Sequence, residues 1–200
     1  MKTRLEEHYN KSIHPAMVEK FKYKNKHQVP KLIKVIINIG VGEAVKDSKK
    51  IDPNRIVICG SSAGGYTVLR ALTMYPGLFS AGLCIYGISD LFSLTQDTHK
   101  FEAHYLDKLI GPLPDCLTVY NERSPIFKAE NIVDPIAIFH GEKDTVVPIS
   151  QAEELVAVLS RRGTPHAYYS YKNEGHGWKN PETVKSFYED MDSFLRHHVL

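Results

Sequence analysis

The chain has 200 residues, which is enough for one domain with a sizeable buried core. Its composition of 42% hydrophobic and 24% charged residues is typical of a globular protein and excludes a disordered or fibrous one. The net charge of +2 excludes a strong overall attraction to polyanions, and no apolar run reaches the roughly 18 residues that would cross a membrane.

The first 30 residues form a polar, basic lead-in. Residues 1–34 contain nine Lys or Arg against three Glu, whereas the remaining residues carry 16 basic and 20 acidic groups. Because the basic positions form no compact block, we interpret this segment as a solvated lead-in, either disordered or partly helical, with a basic arm that binds nucleic acid or an acidic membrane as the alternative. It lacks the apolar stretch of a signal peptide, and the three scattered cysteines fit neither a disulfide framework nor a zinc site. We therefore predict a cytoplasmic protein with no nucleic-acid and no membrane partner.

From residue 31 onwards, short apolar runs alternate with segments of helical periodicity. Glycines and turn residues bound these runs, which is typical of strands. Five strands are predicted, over residues 32–39, 55–59, 83–86, 136–139 and 168–171.

Three amphipathic helices are predicted between and after these strands. The first begins near Gly65, the second ends at Gly163 and the third begins at Pro181, whereas residues 91–131 are a mixture of short helical stretches and proline turns. Apolar strands that alternate with such helices indicate an α/β fold, with a mostly parallel sheet and helices on both faces. The loops after the strands should then meet at one edge of the sheet.

The motif Gly60-Ser61-Ser62-Ala63-Gly64, a G-x-S-x-G, lies between a predicted strand and a predicted helix. In that context the central serine sits on a tight turn above the sheet, a position suited to a nucleophile. The backbone N–H of Ala63 would then face the developing oxyanion. A glycine turn without chemistry is the alternative, and the strand–turn–helix context favours Ser62 as the nucleophile.

Two further residues complete the pattern of a catalytic triad. Asp144 follows the predicted strand over 136–139, and His176 follows the one over 168–171. Each alone is more typical of a surface loop, but the chain order serine, aspartate, histidine is that of this fold. We predict that His176 is the general base and that Asp144 orients its imidazole.

Other residues near these motifs have weaker signals. Tyr66 and Trp178 neighbour the candidate nucleophile and histidine, so we predict substrate-binding roles for them, with core packing as the alternative. His140 precedes a glycine at a strand end and is interpreted as structural. Cys59 and Cys84 lie inside apolar runs, as small core residues do.

A group with metal-ligand spacing occurs at His99, Glu102 and His104. On a helix, however, the two histidines are five residues apart and face different directions. We therefore predict no metal site and no cofactor.

Several longer stretches carry a pattern beyond the candidate triad: IDPNRIVICGSSAGGYTVL, the run from AGLCIYGISDL through DTHKFEAHYLDKLIGP, ERSP, FHGEKDTVVPISQAEEL and EGHGW. Together, over residues 51–197, they resemble the C-terminal catalytic domain of prolyl oligopeptidase-type serine peptidases, the acylaminoacyl-peptidase and dipeptidyl-peptidase group. The resemblance implies an α/β-hydrolase fold and hydrolysis of peptide or acyl-peptide bonds through an acyl-enzyme. It implies the nucleophile, aspartate and base roles for Ser62, Asp144 and His176, without a metal or organic cofactor.

The N-terminal part of this domain looks reduced when compared with that family. No segment could form the family's β-propeller, no His-Gly-Gly loop supplies a second oxyanion donor, and residues 43–50 are too short for the usual helix. The stretch VIINIGVGEA is interpreted as a remnant of the missing region. We therefore expect an N-terminally truncated catalytic domain over residues 31–200, whose bare surface a homodimer would cover.

Three functions fit the sequence. The first is a serine-type peptidase that acts on short peptides or acyl-peptides. A carboxylesterase-like hydrolase would use the same triad, and a truncated paralogue with impaired catalysis would act as an interaction module. The stretches around the triad favour the peptidase, whereas the missing oxyanion loop favours the interaction module.

Overall fold

The computed structural model describes residues 8–29, 52, 54–97 and 105–200. The chain divides into two compact units, Met1–Lys50 and Ile51–Leu200. The predicted strand over residues 32–39, the stretch VIINIGVGEA and the group His99, Glu102 and His104 lie outside the described residues. Within the described ranges, no helix is both long enough and apolar enough to cross a membrane.

The described part of the first unit is largely helical. A π-helical turn, Tyr9–Ile13, leads into α1, His14–Phe21, which has a proline in its first turn. Proline suits this position because the first N–H groups of a helix have no intrahelical acceptor. Helix α1 ends at Lys22, whose φ of 55° is left-handed, and a 3-10 turn follows over Lys26–Gln28.

In the part of the second unit that the structure describes, four parallel strands form the sheet. They are Val57–Ser61 (β1), Ala81–Ile85 (β2), Ile136–Gly141 (β3) and His166–Tyr171 (β4), in the spatial order β1-β2-β3-β4. Every neighbouring pair is parallel. Four of the five predicted strands are thus confirmed, with ends displaced by up to two residues.

In the described part of the second unit, six α-helices lie between or after these strands, and a 3-10 helix spans Pro125–Asn131. The α-helices are Ala63–Met74 (α2), Leu91–Asp97 (α3), Tyr105–Leu109 (α4), Leu117–Arg123 (α5), Ser150–Arg162 (α6) and Pro181–His198 (α7). The predicted helix signals are confirmed: α6 ends where Gly163 takes a left-handed φ of 71°, and the Asn180 side chain accepts the N–H of Glu182 at the start of α7.

Helices cover both faces of the sheet, as the sequence predicts. On one face, Leu72 of α2 and Leu155 of α6 belong to the same buried cluster as Ile138 of β3. On the other face, Phe187 of α7 packs against Phe139, with ring centroids 5.0 Å apart. Burying one such side chain contributes about 1.5–3 kcal/mol. This layered core fixes the carboxyl ends of the strands, where the loops with the candidate residues meet.

Cys59 is exposed, and the prediction that it is a core residue is wrong. It lies in β1, which is an edge strand of the sheet within the described residues, so one side of its strand is open there. Cys84, in the inner strand β2, is buried as predicted.

Candidate active site

Ser62 sits on the turn between β1 and α2, where the G-x-S-x-G motif predicts it. Its backbone has φ 55° and ψ −120°, a conformation that is costly for a residue with a side chain. Two hydrogen bonds hold the turn: the Ser62 N–H donates to the Ile85 carbonyl at 2.9 Å, and the Tyr66 N–H donates to the Ser62 carbonyl at 3.0 Å. The strained turn therefore presents the hydroxyl at the carboxyl edge of the sheet.

Close backbone approaches explain two glycines around this turn. A Cβ at Gly60 would collide with the carbonyl oxygen of Gly64, and a Cβ at Gly65 would lie 2.6 Å from the Cα of Gly87. Gly64 itself has open space where a Cβ would be. The tight packing thus requires glycine at the first position of the motif and just after its end, and not at Gly64.

Asp144 follows β3 and has a fully buried side chain. One carboxylate oxygen, Oδ1, accepts the N–H groups of Val146 and Val147, both at 2.9 Å. The other oxygen, Oδ2, lies 2.8 Å from Nδ1 of His176. The loop thereby fixes the carboxylate and aims its second oxygen at the imidazole.

His176 lies in the loop after β4 and joins the other two residues. Its Nε2 is 2.9 Å from Ser62 Oγ, while its Nδ1 faces Asp144. With the Nδ1 proton donated to the carboxylate, Nε2 is free to accept the Ser62 proton. The structure therefore brings together the three residues that the sequence predicts, in an arrangement that permits proton transfer from a serine to a histidine.

Ala63, the predicted oxyanion donor, is the first residue of α2. The first N–H groups of a helix have no intrahelical acceptor, and the helix dipole places partial positive charge there. The Ala63 N–H is therefore in a position suited to an oxyanion next to Ser62.

The sequence indicates a structural role for His140, and the structure places its imidazole next to the carboxylate of Asp144. It is fully buried in β3, and its Nε2 lies 2.8 Å from the carbonyl of Val147 and 3.7 Å from Asp144 Oδ2. In the described part of the chain its Nδ1 has no hydrogen-bond partner. Burial lowers the pKa of His140, so the neutral imidazole, donating from Nε2 to Val147, is the favoured form.

Tyr86 belongs to the candidate site, although no sequence motif indicates it. It follows β2, has a left-handed φ of 37°, and its N–H donates to the Phe139 carbonyl at 2.7 Å. Its ring centroid lies 4.6 Å from that of His176 and 5.3 Å from that of Trp178. A left-handed conformation in a tyrosine is costly, and it places an aromatic face against the candidate base.

Tyr66 and Trp178 both have packing roles in the structure. The Tyr66 hydroxyl donates to the Arg123 carbonyl at 2.9 Å, and its ring lies against the cluster of α3 and α5. Trp178 packs between Tyr171 and Phe187. Their substrate-binding roles stay predictions.

No group of three or more His, Cys, Asp or Glu side chains suited to a metal ion occurs among the described residues. The candidate group at His99, Glu102 and His104 lies outside them.

A comparison with models of known families identifies the family of this chain. Residues 38–200 match the model of the prolyl oligopeptidase family. The chain belongs to the prolyl oligopeptidase family. The resemblance seen in the sequence and the α/β-hydrolase fold that it implied are thereby confirmed.

Members of the prolyl oligopeptidase family that resemble this chain are much longer. Dipeptidyl aminopeptidase BIII of Pseudoxanthomonas mexicana is 31% identical over 147 residues, which are 71% of this chain and 21% of the relative. The solved structure of a Mycobacterium tuberculosis puromycin-hydrolyzing peptidase has a TM-score of 0.73 and 38% identity, over 78% of this chain and 24% of that one. The chain thus spans about a fifth to a quarter of the length of these relatives.

A second, unrelated similarity covers about a quarter of the chain. The large ribosomal subunit protein uL5 of Carboxydothermus hydrogenoformans is 57% identical over 49 residues, which are 24% of this chain and 27% of that protein. Charge and apolar pattern, on which the interpretation of the lead-in rests, do not identify a family, so this similarity could not be predicted from them.

Proposed function

We propose that Ile51–Leu200 is a serine-type peptidase module that hydrolyses peptide or acyl-peptide bonds through an acyl-enzyme on Ser62. The observation that supports it most is the continuous hydrogen-bonded series from Ser62 Oγ to His176, 2.9 Å, and from His176 to Asp144, 2.8 Å. Membership of the prolyl oligopeptidase family makes a peptide the expected substrate.

In the acylation half of the proposed reaction, His176 Nε2 takes the Ser62 proton while Oγ attacks the carbonyl carbon of the substrate. The tetrahedral intermediate carries its negative charge on the former carbonyl oxygen, which the Ala63 N–H stabilises. The intermediate collapses as the C–N bond breaks, and His176 gives its proton to the departing amine.

In the deacylation half, a water molecule takes the place of the amine. His176 removes one proton from the water, whose oxygen attacks the ester carbon of the acyl-enzyme. The bond to Ser62 Oγ then breaks, Oγ recovers the proton from His176, and the acid product leaves. Throughout, Asp144 stays ionised and stabilises the imidazolium.

The proposed site has one identified oxyanion donor, whereas α/β-hydrolases use two. Ala63 is the donor that we propose, and the sequence offers no His-Gly-Gly loop for a second. Loss of one donor typically lowers turnover by about 10²–10³-fold. We therefore propose a slow peptidase, and we keep the carboxylesterase-like hydrolase and the interaction module as alternatives. The cytoplasmic location and the homodimer stay predictions.

Covalent labelling of Ser62 tests the proposal. We expect one fluorophosphonate label per 200-residue chain, detected by intact mass, and none in a Ser62→Ala control. An Asp144→Asn variant should react about 10⁴-fold more slowly, because the imidazole then takes the wrong tautomer. Turnover of an acyl-peptide anilide, compared with that of a matched ester, separates a peptidase from an esterase.

Two outcomes would contradict the enzyme proposal. One is a wild-type chain that is folded by circular dichroism and does not react with the probe. The other is equal labelling of wild type and Ser62→Ala, since the label would then be on another residue. Either outcome would leave the interaction module as the better interpretation.

We also infer that the uL5-like stretch is the N-terminal unit, Met1–Lys50. This unit has nearly the length of the 49-residue match, while Ser62, Asp144 and His176 all lie in the second unit. Its sequence carries 12 Lys or Arg against five Asp or Glu, whereas Ile51–Leu200 carries 13 against 18. On this proposal VIINIGVGEA belongs to the ribosomal-protein-like segment, and the family match, which begins at residue 38, overlaps the end of that segment.

A further inference from the structure

An open cleft of about 460 Å³ lies beside the candidate base. His176 is one of its lining residues, together with Lys143, Lys172 and Lys179. These lysines come from three different segments: the loop after β3, the turn after β4 and the residues before α7. The fold therefore gathers three lysine residues around a cleft next to the residue that would protonate a leaving amine.

The three lysines have no carboxylate partner within 4 Å among the described residues, and all three are exposed. Their grouping contrasts with the second unit as a whole, where acidic residues outnumber basic ones by 18 to 13. The described lining of the cleft thus has three lysines and one acidic residue, the reverse of that balance.

Among the described lining residues the acidic one is Glu174, and it makes no ion pair within 4 Å with these lysines. Its side chain is buried, and its two carboxylate oxygens accept the backbone N–H groups of Lys179 and Asn180, each at 2.9 Å. The hydrogen bond from the Lys179 N–H is the largest cause of the lowered pKa of Glu174. Its charge is thus held by the backbone at the start of α7, and the cleft keeps a positive balance.

We propose that this cleft binds a carboxylate carried by the leaving part of the substrate, at best the C-terminal carboxylate of a short peptide. The inference rests on the proposed function, because His176, the residue that would protonate the departing amine, lines the cleft. Like charges in one cleft repel each other, and an anionic group bound there relieves that repulsion. The proposal adds a preference for free peptides over peptide amides.

Binding of two matched dipeptides tests the cleft without requiring turnover. Alanyl-alanine carries a free carboxylate, and alanyl-alanine amide does not; their dissociation constants on the 200-residue chain can be measured by NMR titration. Each exposed charge pair contributes a factor of about 1.4–5. We therefore expect about ten-fold tighter binding of the free dipeptide, with a preference that shrinks as the salt concentration rises.

A triple variant with a charge-matched control assigns the effect to the cleft. Lys143→Met, Lys172→Met and Lys179→Met together should reduce the preference to less than two-fold. Lys108→Met, Lys128→Met and Lys185→Met, which remove the same charge outside the cleft lining, should leave it intact. Glutamyl-alanine amide distinguishes a side-chain carboxylate from a C-terminal one.

The outcomes separate this inference from the proposed function. Equal binding of the two dipeptides to a chain that reacts at Ser62 would overturn the cleft proposal alone. A preference in a chain that does not react at Ser62 would leave the cleft as a carboxylate site and overturn the enzyme. Equal loss in both triple variants would also overturn the cleft proposal, because overall charge would then explain the preference.

Discussion

Tyr86 links the end of β2 to the imidazole of His176. Its left-handed φ of 37° is a local cost that the rest of the fold must offset. In return, its ring lies 4.6 Å from the imidazole, where an aromatic face attracts the imidazolium that forms during the proposed reaction. We interpret Tyr86 as a residue that positions the base.

We expect Tyr86→Leu to react with a fluorophosphonate about two- to five-fold more slowly, since a cation–π contact contributes about 0.5–1 kcal/mol. Tyr86→Phe keeps the ring and should react at the wild-type rate. The measurement is the pseudo-first-order labelling rate, with urea unfolding as a check on the fold. An equally slow Phe variant would argue against the ring contact and for a role of the hydroxyl.

Sequence alone could predict Ser62, Asp144 and His176, because each follows an apolar run and their order is that of a known fold. Tyr86 could not be predicted, since its role depends on a ring contact between residues that are 90 positions apart in the chain. His140 could be placed at a strand end, but its approach to Asp144 Oδ2, 3.7 Å, depends on how the loop after β3 folds back.

At the scale of elements, α6 and the loop before α3 are joined by one buried amide. Gln151 Oε1 accepts the N–H groups of Ser89 and Asp90, at 2.8 and 2.7 Å, and its Nε2 donates to Ser93 Oγ at 2.7 Å. The periodicity of α6 and α7 is local, so the sequence could predict both helices. For residues 91–131 the sequence predicted only a mixture of short helical stretches and turns. Short helices there are held by long-range side-chain contacts that no local pattern reveals.

We expect Gln151→Leu to lower the free energy of unfolding by about 2–4 kcal/mol, because it leaves buried N–H groups without acceptors. The measurement is urea unfolding followed by circular dichroism. Glu154→Ala, on the exposed side of the same helix, should change stability by less than about 0.5 kcal/mol. A loss below about 1 kcal/mol in the Leu variant would mean that the loop repacks around other partners.

At the scale of the whole molecule, the chain combines two similarities of different kinds. Residues 38–200 match a peptidase family, and about a quarter of the chain matches a ribosomal protein. Charge and periodicity could not separate these two similarities, since the apolar run over residues 32–39 indicates a strand and does not indicate which protein it comes from. The contrast in charge between residues 1–34 and the remainder was the signal that could have indicated two origins.

Removal of Met1–Lys50 tests whether the two parts are independent in function. We expect the remaining Ile51–Leu200 to react with a fluorophosphonate within about two-fold of the full chain, because Ser62, Asp144, His176 and Ala63 all lie in it. A loss of about 10²-fold or more would show that the N-terminal unit takes part in catalysis, as a second oxyanion donor would. Circular dichroism of the shortened chain provides the control for folding.

The helices that cover the two faces of the sheet are synthesised at different times. Among the described residues, α2 and α6 cover one face as the chain proceeds, whereas α7 is the helix that packs on the other. Helix α7 spans Pro181–His198 and supplies Phe187 and Phe194 to the cluster that buries Leu83 and Phe139. During translation those two side chains therefore stay uncovered until residues 181–198 have been synthesised. The nascent chain thus exposes one apolar face after the other is already covered, which makes this late interval the one most prone to aggregation.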